Sequence, residues 1–118
     1  MPSIQLKTNA SIADVTAFAL EFSKESSRIL DKAESSLVVS VLPVPAMVIN
    51  GTAEPAFQLF VVSLGNLSPS NNEKFSKGFS DFLNRTLGVP NDRGLIVFLD
   101  PGMDNMGFMG TTAAVLAA

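Results

Sequence analysis

Polar and apolar residues alternate at the start of the chain. In residues 3–8, Ile4 and Leu6 lie between polar neighbours, which is the period-two pattern of a strand with one buried face. Apolar runs rich in β-branched or aromatic residues predict further strands at 36–43, 57–63 and 94–100. The run 47–49 is another short strand candidate, and the turn signal Asn50-Gly51 separates it from the next strand.

Two segments between these strands have helical periodicity. Ser11, with Asp14 three residues later, predicts the start of a first helix, which should end near Asp31-Lys32. Ser70 and Glu73 form a capping-box pattern for a second helix, which Gly88 and Pro90 should end. The predicted apolar stripes are Val15, Phe18, Phe22 and Ile29 on the first helix, and Phe75, Phe79, Phe82, Leu83 and Leu87 on the second.

The predicted elements follow the order strand–helix–strand twice. An offset of 57 aligns the two halves, placing Phe22-Ser23 on Phe79-Ser80 and Arg28 on Arg85, which favours an internal duplication. We therefore predict a single α+β domain over residues 1–118. Its two βαβ units would form a four-stranded sheet with both helices on one face. The other face of the sheet needs a cover, and a neighbouring subunit can supply it.

The composition supports self-association and argues against several partners. Hydrophobic residues make up 47% of the chain and charged residues only 16%, against roughly a quarter in a typical domain. This shortage of charge indicates that part of the surface faces another subunit. The net charge is −3 without a basic cluster, so we expect no nucleic-acid partner. No apolar run is long enough to insert into a membrane, and no secretory signal is visible.

The chain has few groups that can take part in chemistry near neutral pH. It contains no His and no Cys, so we expect no metal and no cofactor. Pro2 follows Met1, and aminopeptidases remove Met before a small residue such as proline. The Pro2 amine that this removal frees would have an ordinary pKa of about 7.7–8.0. Many proteins begin with Met-Pro without any catalytic role, so this pattern alone leaves both interpretations open.

Short motifs along nearly the whole chain resemble the macrophage migration inhibitory factor and D-dopachrome tautomerase family, within the tautomerase superfamily. Each motif is weak alone, and their order and spacing are specific. The motifs are Met1-Pro2, Thr8-Asn9, Lys32, Gly51-Thr52-Ala53-Glu54-Pro55, Ser63-Leu64-Gly65, Asp92-Arg93 and the stretch from Met106 to Thr112.

The resemblance implies a homotrimer whose sheets surround a central channel, with an active site between subunits. It implies Pro2 as the acid/base, Lys32 as the ligand of a substrate carboxylate, and Leu64 as the donor of a backbone N–H. Lys32 is also a typical cap at the end of a helix. Enolisable α-keto acids such as phenylpyruvate, or dopachrome-like compounds, would be substrates of this cofactor-free isomerase.

This chain departs from the family pattern at several positions of the implied pocket. Leu95 and Val97 stand where many members have Tyr and Asn, and Met109 replaces an Asn. Phe108 is expected either to line the pocket or to pack at an interface. The pocket should be more apolar and poorer in hydrogen-bond donors than in other members.

These departures leave a second function open. The chain could be a cytokine-like binding or signalling protein with a vestigial pocket and a cell-surface receptor, and a scaffold without a ligand is a third reading. The expected location is the cytoplasm, or outside the cell after secretion without a signal peptide.

Overall fold

The computed structural model describes all 118 residues and contains a four-stranded mixed sheet. The strands are β1 (Ser3–Thr8), β2 (Val38–Pro43), β3 (Phe57–Val62) and β4 (Gly94–Leu99). Their order in the sheet is β2-β1-β3-β4, with parallel outer pairs and an antiparallel central pair. Ile4 and Val61, which the repeat aligns, are direct partners across that central pair. The predicted α+β fold is confirmed.

Two helices, α1 (Val15–Leu30) and α2 (Pro69–Leu87), cover one face of the sheet. The fully buried Phe22 of α1 stacks on Phe82 of α2, with ring centroids 5.6 Å apart, and meets the edge of Phe79 at 6.0 Å. Such aromatic pairs add to the stabilisation that burial of their surface provides. These rings pack over Leu6 and Leu59 of the central strands, in one continuous hydrophobic core.

Both helices begin at a different residue from the one predicted. Asp14, not Ser11, caps α1, because its extended backbone lets the carboxylate accept a hydrogen bond from the Ala17 N–H at 3.0 Å. Ser68, not Ser70, caps α2, because Pro69 occupies the first helical position, where its fixed φ is favourable. The predicted ends are confirmed, with Asp31 and Gly88 in left-handed conformations at the C-caps.

The predicted short strand at 47–49 is wrong. Only an isolated bridge between Ile49 and Thr52 forms there, around the tight turn of Asn50 and Gly51. The carbonyl groups of this segment are bound by side chains instead of a strand, since Asn9 donates to Met47 and Arg93 donates to Ile49. Residues 44–56 therefore form a pinned loop between β2 and β3.

The face of the sheet opposite the helices has no cover within the chain. Alternate residues of the edge strands point to this open face, and several large apolar side chains among them are exposed: Val38, Leu42, Leu95, Val97 and Leu99. Single exposed apolar residues are ordinary, whereas a row of them along one strand, as Leu95, Val97 and Leu99 form on β4, is typical of an interaction surface.

The chain ends in a small unit that the sequence did not predict. A two-stranded hairpin joins β5 (Gly107–Phe108) to β6 (Thr111–Thr112), and the short helix α3 (Ala113–Ala117) follows. Met109 and Gly110 form the turn with positive φ values of 55° and 78°. No helix in the structure combines the length and apolar character needed to cross a membrane.

Candidate active site

Pro2 lies at the start of β1, where the chain enters the sheet. The residue is buried, and its carbonyl oxygen accepts a hydrogen bond of 3.0 Å from the Val38 N–H of β2. This bond holds the amino-terminal residue against the neighbouring strand. While Met1 is attached, the nitrogen of Pro2 is an amide without a titratable proton. Removal of Met1 would leave a secondary amine at this fixed position.

An apolar cavity of about 350 Å³ borders this end of the chain. Its walls come from both ends of the chain and from the turn before β2. The lining residues are Met1, Ser36, Met106, Phe108, Ala113, Leu116 and Ala117. The predicted site residue Phe108 therefore lies in the same cavity as the residue that precedes Pro2. The hairpin and α3, which the sequence did not reveal, supply most of the remaining wall.

Lys32 lies in the loop between α1 and β2, four positions before Ser36 in the chain. Its backbone is fixed on the end of α1, because its N–H donates to Ser27 at 3.1 Å and its carbonyl accepts from the Ser27 hydroxyl. The side chain is exposed and takes part in neither of the two salt bridges in the structure. The nearby Glu34 instead accepts from Ser23. The ammonium group of Lys32 is thus available to an anion.

Leu64 lies just beyond β3, at the same end of the sheet as Pro2, because Ser3 is paired with Val62. The backbone N–H groups on either side are both used: Ser63 donates to the Leu99 carbonyl and Gly65 donates to the Asp100 carboxylate, each at 3.0 Å. The Leu64 N–H has no partner within the chain. A free donor between two fixed neighbours is suited to a ligand oxygen.

Asp100 connects this turn to the segment that carries the cavity wall. One carboxylate oxygen accepts from the Gly65 N–H and the other from the Gly102 N–H, at 3.0 and 2.9 Å. These two backbone hydrogen bonds hold the pKa of Asp100 below its ordinary value of 3.8, and the bond from Gly65 has the larger effect. The carboxylate therefore stays ionised and joins the Leu64 turn to the segment leading to Met106.

Leu95 and Val97 do not join Pro2 within one chain. Both are exposed on the open face of β4, at 56% and 39% of their surface. Leu95 is level with Lys7, at the far end of β1 from Pro2, about 17 Å away along the strand. Leu95 also borders a separate cavity of about 400 Å³ beside the pinned loop 44–56. Within one chain, these two residues therefore lie apart from the Pro2 end of the sheet.

The pinned loop depends on three polar residues whose role the sequence did not reveal. The Arg93 guanidinium donates to the carbonyls of Ile49, Thr52, Glu54 and Pro55 and to the Thr52 hydroxyl. Asn9 accepts from the Ala56 N–H at 2.7 Å, and the buried Thr8 hydroxyl donates to the Ala56 carbonyl at 2.7 Å. Thr8-Asn9 and Arg93 belong to the motifs noted above, and their function here is to hold this loop.

The geometry thus assembles Pro2, Leu64, Phe108 and the Lys32 loop at one end of the sheet. No group of three or more acidic, histidine or cysteine side chains in the structure could hold a metal ion. The model of the family "Macrophage migration inhibitory factor (MIF)" matches residues 1–114. The chain belongs to the macrophage migration inhibitory factor family.

Curated MIF-family relatives cover almost the whole chain. It is 33% identical over 113 residues to the macrophage migration inhibitory factor homolog of Trichinella spiralis, covering 95% of this chain and 99% of that protein. It is also 33% identical over 118 residues to the D-dopachrome decarboxylase of Bos taurus, covering 98% and 100%. The family resemblance read from the sequence is confirmed.

Solved MIF structures share the fold. The homologue from Prochlorococcus marinus superposes with a TM-score of 0.85 at 27% identity, over 93% of this chain and 97% of that one. The protein from Trichinella spiralis superposes with a TM-score of 0.85 at 32% identity, over 93% and 98%. At these identities and TM-scores the fold found here is that of the MIF family.

Proposed function

We propose that this chain is a cofactor-independent keto–enol tautomerase in which the Pro2 amine, freed by removal of Met1, transfers the proton. The observation that carries the proposal is the burial of Pro2 at the end of β1, beside an apolar cavity with a free backbone N–H nearby. Enol–keto exchange needs one proton removed and one returned. A single group can do both when its pKa lies near the ambient pH.

The other residues at this end of the sheet support the same chemistry. Lys32 would bind the carboxylate of an α-keto acid, and the Leu64 N–H would bind an oxygen on which negative charge develops. Burial and the positive charge of Lys32 both favour the neutral form of the Pro2 amine, which lowers its pKa. Phenylpyruvate carries an enolisable hydrogen next to its ketone, which adjoins the carboxylate, and dopachrome-like compounds carry an acidic hydrogen next to a carboxylate.

We further propose that residues 1–118 act as one domain in a homotrimer with the site between subunits. The exposed apolar residues of the open face support an assembly of this kind, because a second copy would remove them from water. Leu95 and Val97 of a neighbouring copy would then approach Pro2. We expect the protein in the cytoplasm, or outside the cell by a route without a signal peptide.

The alternative is a cytokine-like binding protein with a vestigial pocket and a cell-surface receptor. The observation that favours it is the apolar character of Leu95 and Val97, which offer no hydrogen-bond donors to a substrate. Several relatives carry the name macrophage migration inhibitory factor, including the protein of Rattus norvegicus. Measurable turnover that depends on Pro2 separates the enzyme from this alternative.

The test compares two forms of the same protein, one with Met1 retained and one beginning at Pro2. We expect the form with the free amine to convert enol to keto phenylpyruvate, and the form with Met1 to be inactive. A Pro2→Gly variant without Met1 should keep part of the activity, since it still offers an α-amine. Equal activity of the two forms would exclude the mechanism. Circular dichroism of both forms controls for loss of the fold.

A further inference from the structure

The cavity at the Pro2 end is unusually poor in polar groups for a site that would bind a carboxylic acid. Of the six lining residues that remain once Met1 is removed, five are hydrophobic, and Ser36 is the exception. The Ser36 hydroxyl donates to the Ala33 carbonyl at 2.8 Å, so its proton is already used and its oxygen is the one side-chain acceptor left in the wall. No charged side chain lines the cavity, and the nearest cation considered above is the exposed Lys32.

The backbone of the cavity wall offers little more. The Ala113 N–H donates to the Met106 carbonyl at 2.9 Å, which joins α3 to the segment before β5. At the start of α3, the Thr112 hydroxyl oxygen accepts from the Val115 N–H at 3.3 Å. In the proposed assembly, Leu95 and Val97 of a neighbouring copy would close the cavity, and neither has a polar side-chain atom. A polar group deep in this space would meet few partners.

Building on the proposed tautomerase, we propose that the site selects α-keto acids whose side chain carries no hydroxyl group. Aryl or alkyl side chains would fill the cavity, and phenolic analogues would be discriminated against. Polar recognition would be confined to the reacting end of the substrate, through Lys32 and the Leu64 N–H. With Met1 in place, the volume of about 350 Å³ lies at the small end of the range for ligand pockets, which suits a single ring or a branched chain.

The size of this discrimination follows from the cost of burying a hydroxyl without a hydrogen-bond partner. That cost corresponds to about a tenfold to a hundredfold loss in affinity. A hydrophobic pocket rejects an added hydroxyl by no more than roughly a hundredfold, which sets the upper limit. We therefore expect kcat/KM for phenylpyruvate to exceed that for 4-hydroxyphenylpyruvate by about tenfold to a hundredfold.

The experiment measures both substrates on the chain that begins at Pro2. A Leu116→Ser variant places a hydroxyl in the cavity wall and should reduce the preference severalfold. Leu20→Ser is the matched control, because Leu20 is 61% exposed on α1 and does not line the cavity. It should leave the preference unchanged. If Leu116→Ser fails to fold, Met106→Gln makes the same test from another wall. Equal kcat/KM for the two substrates in the unmodified chain would overturn the proposal.

A binding measurement separates this proposal from the proposed activity. Phenylacetate and 4-hydroxyphenylacetate have the same two aromatic groups as the two keto acids. They lack the α-keto group, so they cannot undergo keto–enol exchange. Calorimetric titration should show tighter binding of phenylacetate by about tenfold or more. That result without turnover of either keto acid would sustain the apolar selectivity and reject the tautomerase. Equal binding together with turnover would reject the selectivity alone.

Discussion

Asp100 and Gly65, 35 residues apart in the chain, are joined by a hydrogen bond of 3.0 Å from the Gly65 N–H to the Asp100 carboxylate. The same carboxylate accepts from Gly102, so one side chain links the turn after β3 to the segment after β4. The free Leu64 N–H precedes Gly65, and Met106 and Phe108 follow Gly102. The two walls of the candidate site therefore depend on one ionised group.

The Asp100 link predicts a pH-dependent contribution to stability. Because the folded-state pKa of Asp100 lies below 3.8, its contribution is present above that pH and is lost as the pH falls through the lower folded value. Asp100→Asn should therefore destabilise the protein at neutral pH and make little difference in strong acid. Urea unfolding at both pH values measures this. The exposed Asp104→Asn is the control, and a difference independent of pH would contradict the prediction.

The hairpin turn at Met109 predicts a stabilising substitution. Met109 has a φ of 55°, a left-handed conformation that costs an ordinary side chain about 1 kcal/mol and that Asn tolerates better. Asn-Gly is also the preferred pair for a two-residue hairpin turn. Met109→Asn should raise the free energy of unfolding by about 0.5–1 kcal/mol. Met103→Asn is the control, since Met103 is exposed without a positive φ. An equal gain in stability from both variants would show that the polar side chain, and not the turn conformation, is responsible.

The hydrogen bonds of Arg93 predict that its replacement destabilises the protein, even when the new residue keeps the positive charge. Its guanidinium donates to four carbonyl groups and a hydroxyl of the pinned loop, a pattern that a lysine cannot reproduce. Arg93→Lys should cost about 1–3 kcal/mol, since the site is partly exposed. Arg28→Lys, in a surface ion pair with Glu25, should destabilise the protein far less, because exposed ion pairs contribute little. Thermal unfolding compares the two variants. Similar losses of stability would contradict the proposal that Arg93 holds the pinned loop.

The open face of the sheet predicts that association fails when charge is placed on it. The unmodified chain should sediment at micromolar concentration as one species near three times its 12.5 kDa mass. Val97→Asp should shift the protein to smaller species, because an unpaired carboxylate would be buried in the interface. Leu20→Asp, on the exposed surface of α1, should leave the mass unchanged. An unmodified chain that sediments as a stable monomer would reject the trimer.

The proposed role of Lys32 predicts that its removal changes both the rate of the reaction and its dependence on pH. Lys32→Ala should reduce kcat/KM for phenylpyruvate by about tenfold to a hundredfold, the effect of losing a charge-assisted hydrogen bond. The pH–rate profile should move to higher pH, because the Pro2 amine loses a cationic neighbour and its pKa rises. Lys24→Ala, exposed on α1, is the control. Unchanged kinetics and an unshifted pH–rate profile would show that Lys32 only caps the end of the helix.

The sequence predicted the elements whose burial is periodic, and it failed where distant groups interact. The alternation of Ile4 and Leu6 and the stripe through Phe79 and Phe82 reflect which side chains face the core. The strand prediction for residues 47–49 of the pinned loop is wrong because the partners of this segment, Asn9 and Arg93, lie about 40 residues away in the chain. Local patterns do not contain such pairings.

The candidate site shows the same division. Pro2 and Phe108 were predicted together because family motifs name them, and the cavity joins them through Met1. The Asp100 bridge had no signal in the sequence, since an aspartate after a strand is common in loops. Within one chain Leu95 and Val97 lie away from Pro2, and the proposed approach of a neighbouring copy is not encoded by any pattern within one sequence.

The cavity wall contains the first residue of the described sequence, Met1, on one side and Ala117, near its last, on the other. An affinity tag at the amino terminus would block the Pro2 nitrogen, and one at the carboxyl terminus would extend from Ala118 beside the same opening. Recombinant protein for any assay is therefore best made without a terminal tag, or with tags cleaved to leave Pro2 first and Ala118 last. Immobilisation through lysines of α2, such as Lys77, would leave both ends free.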